Sequence, residues 1–352
     1  MTTLADLDDR LAAGATSLDG WRVISLDLTD RGEALAGCDV AGATFLGCTF
    51  ARGVDASLGK RGAFVLPTLH SVSLNTYRTR LYSPDELYDT PTYLKSQDAH
   101  AYAWSRHATD RDALLAQTLH DQAIDDALGE WITGRRLVGV MGGHALQRDD
   151  PAYADAARFG HTVGGRLTVA TGGGPGAMEA ANLGAYLSRQ PMATLDDALI
   201  RLAVAPSFQS SVDAWLAAAR TVREACPKGA KSLGIPTWHY GHEPTNMFAT
   251  AIAKYFRNAL REAILVQICA AGIVFLPGAG GTVQEIFQDA CENYYADESS
   301  VAPMVLVGAR YWTETVPAWP LLTSLAAGRP MEKYVHLVDT VEEASGLLLA
   351  ES

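Results

Sequence analysis

No run of apolar residues in this chain of 352 approaches the roughly 18 needed to cross a bilayer as a helix, so no membrane partner is expected. Basic residues are also few. With 28 Lys and Arg against 40 Asp and Glu, a formal net charge of -12 and no local basic cluster, the electrostatic footprint of a nucleic-acid binder is missing. Cysteine is scarce and unpaired: Cys38, Cys48, Cys226, Cys269 and Cys291 form no C-x-x-C and have no histidine at metal-ligand spacing. Reduced, mostly buried thiols and no metal site are the expectation. The opening MTTLADLDDRLAAG is acidic where a secretory signal would be positive, which points to a cytoplasmic protein.

What the chain does have is apolar content of 48% and length enough for a large core and more than one unit. Residues 1–95 read as a mostly β accessory region of short segments broken by Gly, Asp and Pro, such as WRVISLDL and AFVLPTL. Within it Leu35, Val40, Phe45 and Phe50 recur every five residues, which resembles one coil of a pentapeptide-repeat β-helix. One coil cannot bury its own ends, so two short strands are the competing reading. Residues 96–133 read as a helical connector.

From residue 134 to 352 strand and helix alternate. Strands are predicted at Leu137 to Met141, Leu167 to Thr171, Lys231 to Pro236, Gly272 to Leu276, Met304 to Val307 and Val335 to Val338. Such alternation predicts an α/β fold, a doubly wound parallel sheet of Rossmann type. Residues 188–230 are too long for a loop and carry apolar spacing for two helices, a helical insertion beside the site.

Three predicted strands end in small residues: VGVMGGHALQRDD, TVATGGGPGAMEAANLGA and FLPGAGGTVQE. In a parallel sheet their carboxyl ends share one edge, so the turns are expected to converge. Glycine lets backbone amides approach an oxyanion, and a helix starting just after adds free N–H groups and its positive dipole end. The pattern fits neither G-x-G-x-x-G nor the P-loop, whose lysine is absent. Glu285 follows Thr282 by three residues, in the first turn of a helix predicted over Gln284 to Tyr295.

TGGGPGAMEAANLGA (Thr171 to Ala185) and PGAGGTVQE (Pro277 to Glu285) together closely resemble the LONELY GUY family, with signatures G-G-G-x-G-x-M-E and P-G-G-x-G-T-x-x-E, over residues 134–339. In overall length the chain looks more like the larger bacterial nucleotide 5'-monophosphate nucleosidases of that superfamily. The resemblance implies hydrolysis of the N-glycosidic bond of nucleoside 5'-monophosphates to free base and ribose 5-phosphate, with no cofactor and no metal. It gives Gly172, Gly173, Gly174, Gly176, Gly280, Gly281 and Thr282 to the 5'-phosphate. It makes Glu285 the catalytic carboxylate and Arg261, supported by Arg257, the catalytic arginine, and it sets Glu179 along the ribose. Gly142, Gly143, Thr171, Met178, Asn246 and Gly278 complete the candidate binding set. Ala279 departs from a motif glycine. GIPTWHYGHEPTN departs from the usual run before Asn246, keeping only Glu243 and Asn246, so an altered base pocket is expected.

Cleavage passes through an oxocarbenium-like ribose, which a carboxylate can stabilise while it orients or deprotonates water. Arginine would hold that carboxylate ionised or engage phosphate and ribose hydroxyls. Trp238 and Tyr240 could stack on a base or belong to core or interface; His144, His239 and His242 read as structural or surface, and Arg148 as a solvated loop arginine. The competing function is a nucleotide or cofactor carrier or sensor, as molybdenum-cofactor carriers resemble this family. Lysine decarboxylation is excluded, because Lys228 and Lys231 lie outside the motifs. Family members are dimers, so a homodimer or higher homo-oligomer is expected, with Ala259 to Ile268 offering a compatible face.

Overall fold

Leu18, Val23 and Leu28 stand five residues apart, as do Val40 and Phe45, and all five are fully buried. In the computed structural model, which describes residues 1–68, 74–107, 110–240 and 243–350, these two rows lie side by side. Strands β1 (Arg22–Ile24), β2 (Thr44–Leu46) and β3 (Phe64–Leu66) form a parallel sheet in that order, with Val23 opposite Phe45 and Phe45 opposite Val65. The chain returns to the same register after 22 residues and then after 20, from Arg22 to Thr44 to Phe64. Each return folds a short helix, Gly32–Ala36 and then Val54–Lys60, which bury Leu35 and Leu58. The five-residue repeat is therefore one layer of a three-strand parallel stack. It is neither a lone coil nor two isolated strands, and its neighbours supply the burial that one coil lacks.

The chain divides into two units: Met1–Thr79 with Ala108–Ala123, and Arg80–His107 with Ile124–Ser352. The second holds a seven-stranded sheet, every pairing parallel, so the fold is α/β and Rossmann-like. Its strands are β4 (Leu137–Met141), β5 (Thr168–Thr171), β6 (Leu233–Gly234), β7 (Ala251–Ile252), β8 (Ile273–Phe275), β9 (Met304–Val307) and β10 (Val335–Val338). β4, β8 and β9 are buried along their whole length, the condition of a parallel strand covered on both faces. β7 escaped the sequence reading because two residues carry no period. Helices Pro151–Val163 and Ala177–Leu187 touch backbone to backbone, since a Cβ at Gly160 or Gly184 would run into the Ala181 or Ala157 carbonyl. Residues 188–230 hold the two expected helices, Met192–Leu202 and Val212–Ala225.

Residues 80–107 are tied into this unit by polar contacts. Tyr82 and Ile252 exchange backbone hydrogen bonds of 2.9 Å, and the Tyr88 hydroxyl donates to the Thr245 carbonyl at 2.6 Å. Asp98 accepts at 2.6 Å from the buried Lys254 ammonium and at 3.0 Å from the Trp238 indole. These bonds hold residues 237–240 and 243–256, which border the site.

Candidate functional site

The strand order β10-β9-β8-β4-β5-β6-β7 reverses at β4, which has β5 on one side and β8 on the other. A doubly wound sheet leaves a crevice at such a switch point, beyond the carboxyl ends of the two strands. A cavity of about 820 Å³ opens there, lined by Gly142 and Gly143 after β4 and by Pro277 to Thr282 after β8. Arg261, Glu285, Tyr240, Glu243 and Tyr311 also face it.

The turn after β8 is itself the start of a helix. Gly280–Tyr295 begins four residues before the predicted Gln284, and its N-cap Ala279 provides no side-chain hydrogen bond. The amides of a first turn have no acceptor within the helix. Gly280 and Gly281 have open space where a Cβ would stand, so those amides can be approached directly. Thr282 is buried with its hydroxyl against Gly278, and the Tyr311 hydroxyl donates to the Gly278 carbonyl at 2.8 Å, fixing the turn. An uncapped helix start opening on two glycines has the form of an anion cradle.

The earlier start moves Glu285 into the second helical turn. It is buried, and the first turn contains no acidic residue, so the helix dipole does not account for it. Burial, with the neighbouring Glu262 carboxylate, pushes its pKa up to about 7 against the opposing pull of Arg261. The Arg261 guanidinium lies 3.6 Å from the Glu285 carboxylate, and its Nε donates to the Ile235 carbonyl at 2.8 Å. Arg257 stands exposed just before the same helix, Asn258–Gln267, and does not line the cavity.

Two of the three turns line the cavity with their glycines; the glycines of the third do not, since β5 lies on the far side of β4 from β8. Gly172, Gly173, Gly174 and Gly176 are buried, with Arg261 and Met178 lying over Gly172, and Met178 over Gly174 as well. That turn reaches the cavity through Ala177 and Met178. Gly176 takes φ +72° and sits against the Gly143 carbonyl, which accepts from the Ala177 amide at 3.1 Å, so the first two turns are knotted together. Thr171 and Asn246 belong to the knot. The Thr171 hydroxyl accepts from the Gly173 amide at 2.9 Å and donates to Asn182 at 2.7 Å. The Asn246 side-chain amide donates to the Gly174 carbonyl at 3.1 Å and to Asn182 at 3.0 Å. Both residues are fully buried and shape the site without facing it.

Glu179 does not border the cavity either. Its carboxylate is fully buried and takes two bonds from Arg148, at 3.0 Å from Nε and 2.5 Å from Nη2. Arg148 is thus no solvated loop residue: it is 3% exposed, donates to the Trp215 carbonyl at 3.0 Å and stacks 4.4 Å over the Trp215 ring. The pair pins the first glycine turn to the insertion. Trp238 is core, stacked on Phe256 at 4.5 Å, whereas Tyr240 is 42% exposed in the cavity. His144 lies 3.5 Å from Glu243, both lining the cavity; His239 is exposed, and His242 lies outside the described residues. Tyr311 was missed from sequence, having no motif to mark it.

Fold and site together define a Rossmann-like α/β chain with an anion cradle and a carboxylate–arginine pair in one switch-point cavity. No known protein-family model matches the chain, and no curated protein matches it. Among solved structures it is similar to the molybdenum cofactor binding protein from the phototrophic bacterium Rippkaea orientalis, at 16% identity and a TM-score of 0.38 over 62% of this chain and 97% of that one. It is also similar to the Moco carrier protein from Chlamydomonas reinhardtii, at 19% identity and a TM-score of 0.37 over 62% of this chain and 99% of that one. Among the described residues no helix is long and apolar enough to cross a membrane, and no cluster of His, Cys, Asp or Glu is suited to a metal.

Proposed function

We propose that the chain hydrolyses the N-glycosidic bond of nucleoside 5'-monophosphates, releasing free base and ribose 5-phosphate. The observation that carries this reading is the pair of a buried Glu285 and a half-buried Arg261 facing the same cavity as the uncapped start of Gly280–Tyr295. A binder of anions needs the cradle alone. A carboxylate held in apolar surroundings with a pKa near 7 is the form that a general base or an oxocarbenium stabiliser takes.

In this reading the 5'-phosphate accepts from the amides of Gly280, Gly281 and Thr282, with Gly142, Gly143 and Gly278 supplying the close backbone approach. The ribose extends toward Glu285, and the base toward Tyr240 and Glu243. As the bond from C1' to the base nitrogen breaks, its electrons leave with the base. Positive charge at C1' and the ring oxygen is met by the Glu285 carboxylate, which takes a proton from the attacking water. Arg261 favours the ionised form of that carboxylate and orients it. Phosphate binding away from the scissile bond supplies positioning, so nucleotides are cleaved far better than nucleosides. The same reading includes a homo-oligomer, for which the helix Asn258–Gln267 presents Leu260 at 41% exposure, and a cytoplasmic setting without nucleic-acid or membrane partners.

Incubation of the protein with AMP, GMP, CMP, UMP and IMP, followed by chromatography of base and ribose 5-phosphate, tests it. Release by the wild type and none by Glu285→Gln is expected; tight nucleotide binding with no release from any of the five would instead make the chain a carrier or sensor.

A further inference from the structure

The sheet has a second recess, at its opposite edge. Lys231 stands just before β6 and Thr250 just before β7, at the amino ends of their strands, whereas the glycine turns follow carboxyl ends. This recess, about 310 Å³, shares no lining residue with the larger cavity. Arg223, Lys228 and Lys231 line it and no carboxylate does, in a chain of net charge -12. Neither lysine belongs to a motif, and neither has a part in the chemistry proposed above.

The cations sit on a rigid frame. Tyr186 clamps their loop at two points: its hydroxyl donates to the Cys226 carbonyl at 2.6 Å, and its carbonyl accepts from the Ala230 amide at 2.8 Å. Gly229 packs directly on the Tyr186 ring, where a Cβ has no room. Beyond Lys231, Ser232 is bound to Thr250 and Phe248, its amide at 3.0 Å from the Thr250 hydroxyl and its hydroxyl at 2.8 Å from the Phe248 carbonyl. Arg223 is oriented from the other side by Asp85, through bonds of 2.6 and 2.8 Å.

That pairing leaves three sets of donors uncommitted. The Arg223 Nε–H is buried and makes no hydrogen bond of good geometry, although the Tyr186 side chain interacts with the guanidinium. The Ser83 hydroxyl accepts from the Glu86 amide at 3.2 Å and keeps its own proton to donate. Asp85 offsets the charge of Arg223, while Lys228 and Lys231 have no carboxylate partner among the described residues. A doubly charged group with several acceptor oxygens matches this set better than a single carboxylate does. The volume admits a phosphate or a small phosphorylated metabolite.

From these donors we infer that the recess before β6 and β7 is a second binding site, one that takes a phosphoryl group between Lys228, Lys231 and the Nε–H of Arg223. Inorganic pyrophosphate is the probe, and calorimetric titration at physiological ionic strength the measurement. To close the first cavity, the titration is run on Gly281→Leu, a substitution at an exposed position with open space around it. The expected result is one remaining equivalent of binding, weakened at least about tenfold by adding Lys228→Ala and Lys231→Ala and unchanged by Lys60→Ala with Lys95→Ala. All four lysines are exposed, so the fold is retained, and matching thermal melts verify it. No binding in Gly281→Leu, or binding indifferent to the two recess lysines, overturns the site. Equal loss in the control pair overturns it too, since that is general charge attraction.

Discussion

The Arg261 guanidinium and the Glu285 carboxylate stand 3.6 Å apart, a charge contact longer than a hydrogen bond, with Arg261 held in place by the Ile235 carbonyl. The distance leaves the carboxylate oxygens available to water and substrate while the arginine still lowers the cost of ionisation. Because the Glu285 pKa is pushed up to about 7, the reactive ionised form grows through neutral pH. The kcat/KM for AMP should rise with an apparent pKa near 7 and level off above it. Arg261→Met should shift that midpoint upward by about one unit and lower kcat/KM by on the order of 100-fold. A profile flat from pH 5.5 to 8.5 would remove Glu285 from the chemistry.

The same carboxylate predicts a stability effect of definite sign. Its folded pKa lies above that of an unfolded glutamate, so the folded state binds more protons between about 4.5 and 7. The stability it contributes is complete below the lower value and is lost as pH rises through the higher one. Glu285→Gln should therefore match wild type near pH 4.5 and exceed it by up to roughly 3 kcal/mol by pH 8. Urea unfolding at both pH values checks this, and a variant less stable than wild type at pH 8 would contradict it.

Tyr311 reaches the cradle through one bond, from its hydroxyl to the Gly278 carbonyl at 2.8 Å. Tyr311→Phe removes that restraint and keeps the ring. We expect kcat/KM for AMP to fall about three- to tenfold, with adenosine turnover unchanged, since only the nucleotide uses the turn. Equal losses for both substrates would mean that the bond supports the fold rather than the phosphate.

Arg148 and Glu179 are both buried, so removing one charge strands the other. Arg148→Met should cost about 3 to 5 kcal/mol, and adding Glu179→Leu should recover much of it. A double-mutant cycle in urea measures the coupling; simple additivity of the two losses would show that the pair does not act as a unit.

The sheet and the cradle were legible because their signals are local. β4, β9 and β10 begin and end where apolar runs do, and the Pro277 to Glu285 stretch carries its chemistry in consecutive residues. What was illegible depended on neighbours far away in sequence. Nothing in the order of residues says that β5 falls on the far side of the switch point, so the Gly172 to Gly176 turn was expected in the cavity and lies under Met178 and Arg261. Glu179 looked available because its partner is 31 residues earlier. Asn246 and Thr171 carried the right motif positions, but their side chains are spent on backbone groups and on Asn182. The five-residue row at Val40 and Phe45 was read, and the matching row at Leu18, Val23 and Leu28 was passed over, although its spacing is the same.

The start of Gly280–Tyr295 has a consequence for the ligand-free protein. Two glycines in a first turn and no capping side chain make this a weak helix start. The sequence withholds the cap that an ordinary helix would carry in its own serine or aspartate. A bound phosphate would supply those acceptor oxygens and so finish a piece of secondary structure that the polypeptide leaves incomplete.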